Sequence, residues 1–248
     1  MNRSLTGKVA IVTGGSKGIG RAIVLKLSSL GAEVIINYAG DSDSAEGLAR
    51  TVVANGDKAY VIRADVSKVE EIEKLFQSTI TRCGQLDIVI NNAGIATYKA
   101  IADFTEEEFD KSIDLNVKGV FFCCREAARL MADNGCIINI GSTVTRVMLP
   151  TYGVYAATKG AVEQITKVLA KELGPRAIRV NTVSPGPVDT ELFRAGKSDE
   201  QIRQLASLAA FGRIGKPEDI ADMVALLVDP QSGWVTGQNI LVNGGFAA

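Results

Sequence analysis

Histidine is absent from all 248 residues. Its absence excludes Ser-His-Asp triads, Cys-His pairs, H-E-x-x-H zinc sites and imidazole as an acid or base. Proton transfer would fall to Tyr, Lys, Asp, Glu or Cys. Cysteine is scarce: Cys83, Cys123, Cys124 and Cys136 form no C-x-x-C pair. Buried free thiols in a reducing cytoplasm are the expectation, and no metal site. No apolar run is long enough to span a bilayer. Basic runs are also missing, with 27 Lys and Arg against 28 Asp and Glu, so neither a membrane nor a nucleic acid is expected as a partner. The first residues lack the apolar stretch of a signal peptide and lead directly into Val9-Ala10-Ile11-Val12, which makes a cytoplasmic location the expectation.

What is present is a hydrophobic content of 46%, enough for one large core. Short β-branched runs at Val9–Val12, Glu33–Asn37, Ala59–Ala64, Ile88–Asn91, Cys136–Ile140, Arg179–Ser184 and Asn239–Val242 alternate with helical periodicity. The helical segments are Gly20–Leu30, Ala45–Ala54, Val69–Cys83, Glu106–Met131, Tyr155–Leu173 and Pro217–Val228. Such alternation predicts βαβ units. The expected fold is α/β: a single-domain, Rossmann-like, doubly wound fold over residues 1–248, with a seven-stranded parallel sheet. The irregular stretch near 187–215 is too long for an ordinary connection and reads as a partly helical substrate lid.

The first run leads into Thr13-Gly14-Gly15-Ser16-Lys17-Gly18-Ile19-Gly20 and then a helix. Gly14 suits a tight turn, Gly18 the approach of backbone to a pyrophosphate, and Gly20 close helix–sheet packing. The helix start would face the anion with free N–H groups. Asp65-Val66 and Asn92-Ala93-Gly94 follow later strands and should lie beyond the same sheet edge, beside adenine and ribose.

A carbonyl that accepts hydride needs a proton, and without histidine a tyrosine can supply it if its pKa of about 10 is lowered. Tyr155 and Lys159 stand at i and i+4 on one helical pattern, so the ammonium can favour the phenolate. Ser142 ends the fifth run, where its hydroxyl could polarise the carbonyl. Asn116 interrupts a helical segment and suits a kink that holds water behind Lys159.

The set Thr13-Gly14-x-x-x-Gly18-x-Gly20, Asn91-Asn92-Ala93-Gly94, Asn116, Ser142, Tyr155-x-x-x-Lys159 and Pro185-Gly186 resembles the short-chain dehydrogenase/reductase family across essentially the whole chain. The resemblance implies Ser142 as carbonyl orienter, Tyr155 as acid/base, Lys159 as pKa modifier and ribose ligand, and Asn116 in a proton relay. It also implies Gly186 and Thr190 beside the nicotinamide and the Val188 backbone on its carboxamide. The sequence is similar to 3-oxoacyl-acyl-carrier-protein reductases and to small-carbonyl, glucose dehydrogenase-like reductases. Near Arg129 and Arg176 it carries Asp133, which weakens the case for an acidic carrier protein. A ketone, aldehyde or secondary alcohol is the preferred substrate, and the carrier protein the alternative partner. Val144, Met148, Tyr152, Leu192 and Phe193 are the expected pocket. Asn243 stands where relatives commonly have Asp, with little catalytic consequence expected. The family also implies a homotetramer, built through 106–131 and 155–173.

An NAD-binding fold places an acid after the second strand; here Asn37 or Tyr38 fills that place, and Lys17 stands where NADP-using relatives carry a base. NADP(H) is therefore expected to be preferred, with NAD(H) use left open.

Overall fold

The computed structural model describes residues 3–247. Strands β1 (Val9–Val12), β2 (Glu33–Tyr38), β3 (Ala59–Arg63), β4 (Ile88–Asn91), β5 (Cys136–Ile140), β6 (Arg179–Pro185) and β7 (Asn239–Val242) form one sheet of order β3-β2-β1-β4-β5-β6-β7. Every neighbouring pair is parallel. Helices α1 (Gly18–Ser29), α2 (Ser42–Ala54), α3 (Val69–Cys83), α4 (Glu106–Ile113), α5 (Val120–Leu130), α6 (Val144–Val147), α7 (Gly153–Glu172), α8 (Glu191–Arg194), α9 (Asp199–Leu208) and α10 (Pro217–Val228) lie between the strands.

Two-residue alternation along the strands divides their side chains between two cores. Ala10, Val12, Val34, Ile36, Ile88, Ile90 and Ile138 meet α1, α2 and α10 on one face. Ile11, Ile35, Val89, Ile137 and Val180 meet α3, α5 and α7 on the other, where Ile72, Leu75 and Phe76 are fully buried. Truncating one of these large side chains to Ala would cost about 2–5 kcal/mol. Cys123, Cys124 and Cys136 are buried free thiols within these cores, and Cys83 is half-buried.

The register places Val12 level with both Ile36 and Ile90. The chain reverses its winding between β1 and β4, which opens a crevice at the carboxyl edge between them. Thr13 closes the base of that crevice: its Oγ1 accepts from the backbone N–H groups of Asn92 at 2.9 Å and Ala93 at 3.1 Å.

Two departures from the sequence expectations have local causes. The second helix starts at Ser42 because Asp41 caps it, accepting from the Ser44 N–H at 3.0 Å. The segment expected as one helix over 106–131 divides into α4, a π-helical stretch Asp114–Gly119, and α5. Asn116 lies in that stretch with its amide turned inwards; Nδ2 donates to the Ile95 carbonyl at 2.8 Å and Oδ1 accepts from the Ile95 N–H at 2.9 Å. The stretch 187–215 contains α8 and α9, and its ends are joined by a Val188–Gly215 bridge. Asp189 N–H donates to the Gly215 carbonyl at 2.9 Å, and Gly215 N–H to the Pro187 carbonyl at 2.8 Å.

Candidate active site

A cleft of about 920 Å³ crosses the carboxyl edge of the sheet. Its wall brings together Gly14, Ser16, Lys17, Gly18, Ile19, Asn37, Asp65, Val66, Asn92, Ala93 and Gly94 at the loops after β1 to β4. Ser142, Val144, Tyr152, Tyr155, Lys159, Pro185, Gly186, Val188, Thr190, Leu192 and Phe193 also line it. Gly20 does not face the cleft. It lies under the loop, where a Cβ would stand 2.3 Å from the Gly14 carbonyl oxygen, so only glycine lets α1 start this close to the turn. Gly14 itself has φ +59°. This backbone-walled cradle, ending on a helix N-terminus, fits a dinucleotide pyrophosphate.

The end of β2 differs from expectation. Asn37 is buried, its Oδ1 accepting from the Gly14 N–H at 3.3 Å and its Nδ2 donating to the Ala64 carbonyl at 2.9 Å. Its amide thus ties the glycine loop to the β2–β3 edge. Tyr38 packs against the core on the α1 side, and Ala39 instead reaches the cleft wall. Strand alternation explains the exchange, because consecutive residues face opposite ways. Lys17 Nζ lies 2.6 Å from Asp41 Oδ2; the bond raises the Lys17 pKa and holds the Asp41 carboxyl well below its usual range. Asp65 uses Oδ1 on the backbone N–H and the hydroxyl of Ser67, at 3.0 and 2.7 Å.

At the other end, β5 delivers Ser142 and the first turns of α7 deliver Tyr155 and Lys159. Ser142 Oγ accepts from the Val144 N–H at 3.2 Å, and Ser142 and Tyr155 share the cleft wall. Lys159 is only 4% exposed. Its Nζ donates to the Ile140 carbonyl at 2.7 Å and lies 5.7 Å from the Tyr155 ring centroid.

The sequence argument expects Lys159 to lower the Tyr155 pKa; in this structure that value is raised. Burial pushes it up, and the Ser142 hydroxyl, which acts the other way, does not offset it. Burial also brings Lys159 from its ordinary 10.5 down to about 8. Burial thus makes the Lys159 charge costly, although at neutral pH the ammonium still predominates.

Asn116 is buried and does not line the cleft; its Nδ2 also donates to Thr158 Oγ1 at 3.2 Å, beside Lys159. A Cβ on Gly94 would lie 3.1 Å from Asn116 Oδ1 and 3.7 Å from Lys159 Nζ, so both groups abut the same backbone. Met148 is 77% exposed and outside the cleft wall, a correction to the expected pocket. Its φ of +48° ends α6 and turns it away, while its neighbours Val147 and Leu149 face inwards.

Sequence reasoning missed Tyr98, Leu205 and Phe246, all on the wall. Tyr98 stacks on Tyr152 with centroids 4.5 Å apart. No periodicity marks the 92–100 loop, and Phe246 reaches the cleft only through the placement of β7 at the sheet edge.

The profile of the family described as enoyl-(acyl carrier protein) reductase matches residues 14–247. The chain is 44% identical to a short-chain dehydrogenase/reductase of Serratia marcescens of known structure, at a TM-score of 0.95 and over 98% of this chain and 99% of that one. It is 40% identical to a chloroplastic NADPH-dependent aldehyde reductase-like protein of Arabidopsis thaliana, over 98% of this chain and 95% of the relative. The solved structure of an angucycline C-6 ketoreductase with bound NADP is 39% identical, with a TM-score of 0.92, covering 98% of this chain and 96% of that one.

Proposed function

Because the chain belongs to the short-chain dehydrogenase/reductase family, we propose that it reduces a free ketone or aldehyde with NADPH, Tyr155 giving the proton. The observation that carries this reading is the meeting of Ser142, Tyr155 and Lys159 on the wall of a cleft whose far end is a pyrophosphate cradle. When bound, NADPH supplies the hydride. Gly14, Ser16, Gly18 and Ile19 receive its phosphates, Asp65 and Val66 its adenine end, and Asn92, Ala93 and Gly94 its ribose. Pro185, Gly186, Val188 and Thr190 border its reactive ring.

Ser142 orients the carbonyl oxygen, and Tyr155 delivers the proton as negative charge grows there. A raised Tyr155 pKa suits this direction, since the phenol stays protonated at neutral pH. Lys159 holds the ribose and, once charged, restores the proton through a relay that includes Asn116. Val144, Tyr152, Leu192 and Phe193 give the substrate an apolar surround. Lys17 selects the 2′-phosphate, exchanging Asp41 for it. Phe109, Phe121 and Val168, exposed on α4, α5 and α7, support assembly as a homotetramer through those helices.

The carrier-protein alternative is weaker because the nearby cations are engaged. Arg176 pairs with Asp133 at 2.8 Å and donates to the carbonyls of Ala128 and Met131, and Arg129 pairs with Glu126 at 3.2 Å. NADPH oxidation with a panel of aldehydes, ketones and a β-ketoacyl thioester, in wild type and Tyr155→Phe, tests the proposal. Free carbonyls should turn over, and Tyr155→Phe should lose about 10²–10⁴-fold in kcat while keeping NADPH affinity within a few-fold. A variant above about a tenth of wild-type kcat would refute the role of Tyr155. Turnover confined to the thioester would favour the alternative.

A further inference from the structure

The turn that follows β7 joins three parts of the chemical end. Asn243 Nδ2 donates to the Ala247 carbonyl at 2.7 Å and to Thr143 Oγ1 at 3.4 Å, and its Oδ1 accepts from the Gly245 N–H at 3.0 Å. Thr143 is the neighbour of Ser142. Gly186 packs directly on the same residue, for a Cβ there would stand 2.7 Å from Asn243 Cβ. The third part is the root of the lid, where the Phe211 N–H donates to the Gly244 carbonyl at 3.2 Å. The turn closes with the Phe246 N–H donating to the Asn243 carbonyl at 3.1 Å, and this leaves Phe246 on the cleft wall, which α9 of the lid also lines through Leu205.

We propose that this turn sets substrate specificity. Phe246 forms an apolar wall for a ring or chain attached to the carbonyl, and Asn243 is the positioning residue that holds it there. The inference rests on the carbonyl-reductase reading, because the carbonyl itself is placed at Tyr155. The amide matters because it both donates and accepts. A carboxylate at 243 could still accept from Gly245 N–H, but it has no hydrogen for the Ala247 carbonyl and would face that oxygen with like partial charge. The substrate class that fits is a ketone or aldehyde bearing an aryl or bulky apolar group, since an aromatic wall offers a large contact area at little loss of side-chain freedom.

The test is equilibrium binding of acetophenone to the NADP⁺-loaded protein by calorimetry, which needs no turnover. Wild type should bind it. Phe246→Ala should weaken binding roughly ten-fold or more with NADP⁺ affinity retained, and Phe246→Leu should recover most of the loss. Asn243→Asp should shift acetophenone binding in the same direction by a smaller factor, with the thermal midpoint showing that the fold is kept. No binding by wild type, unchanged binding in Phe246→Ala, or an equal loss of NADP⁺ affinity would overturn the wall. Unchanged binding in Asn243→Asp would overturn the positioning role. Turnover, read separately by NADPH oxidation, bears on the carbonyl-reductase reading alone.

Discussion

Lys159→Met should make the cofactor-free protein more stable at pH 7 while abolishing its activity. Burial brings the Lys159 ammonium from 10.5 to about 8, so the folded state disfavours the charged form that the unfolded chain keeps. At about 1.4 kcal/mol per pKa unit this opposes folding by roughly 3 kcal/mol at neutral pH. Methionine removes that penalty and packs with similar volume, but it leaves the Ile140 carbonyl without the donor it has at 2.7 Å, a loss of about 1–2 kcal/mol. A net gain of about 1–2 kcal/mol remains, roughly 2–8 °C in the unfolding midpoint for a chain of this size. The pH dependence has a definite sign. The wild-type penalty is complete below about pH 8, fades as pH rises towards 10.5, and is gone above it, because the unfolded state binds the extra proton only in that window. Thermal unfolding of both proteins, at one protein concentration across pH 7–10.5, checks the argument. Stability should rise through the window in wild type relative to the variant. A variant less stable at pH 7, or a difference between the two that does not change with pH, would refute it.

The cofactor and the proton make two further predictions. Lys17→Ala should narrow the ratio of kcat/KM for NADPH over NADH, and Asp41→Asn should widen it. Asparagine keeps a cap for the Ser44 N–H while releasing Lys17 from its 2.6 Å partner; a ratio unmoved by either substitution would remove Lys17 from the phosphate site. On the proposed mechanism reduction uses neutral Tyr155 and oxidation its phenolate, so with a raised pKa the reductive rate should hold through neutral pH and fall at alkaline pH, while the oxidative rate climbs. Parallel profiles, with chemistry shown to limit both rates, would count against a shared tyrosine.

The sheet was legible because buried parallel strands must be apolar on both faces, and runs such as Val9–Val12 and Ile88–Asn91 have no other reading with glycine turns at their ends. The helices were legible in periodicity but not in detail. A π-helical stretch keeps much the same apolar spacing as an α-helix, so Asn116 pointed to a break whose form only the Ile95 contacts settle. Side-chain direction was the weakest inference. Tyr38 against Ala39, and Met148 against Val147 and Leu149, differ by one residue in sequence and by a whole face in space. The direction of the Tyr155 pKa was not legible for a different reason: i,i+4 spacing reports proximity, whereas the burial that raises it comes from the packing of β5 and α7. Contacts between distant segments, such as Asn243 with Thr143 or Tyr98 with Tyr152, leave no mark in local pattern.

The Val188–Gly215 bridge has a consequence for how such a scaffold can change its clientele. With both ends of the intervening segment clasped at one point, the entropy of closing it depends only weakly on its length. Doubling the segment would add only about 0.6 kcal/mol of closure entropy. Residues such as Leu192, Phe193 and Leu205 can therefore be exchanged as an insert while Ser142, Tyr155 and Lys159 stay fixed on β5 and α7. On the reading proposed above, the part of the pocket that this segment carries can change while the groups on β5 and α7 stay in place.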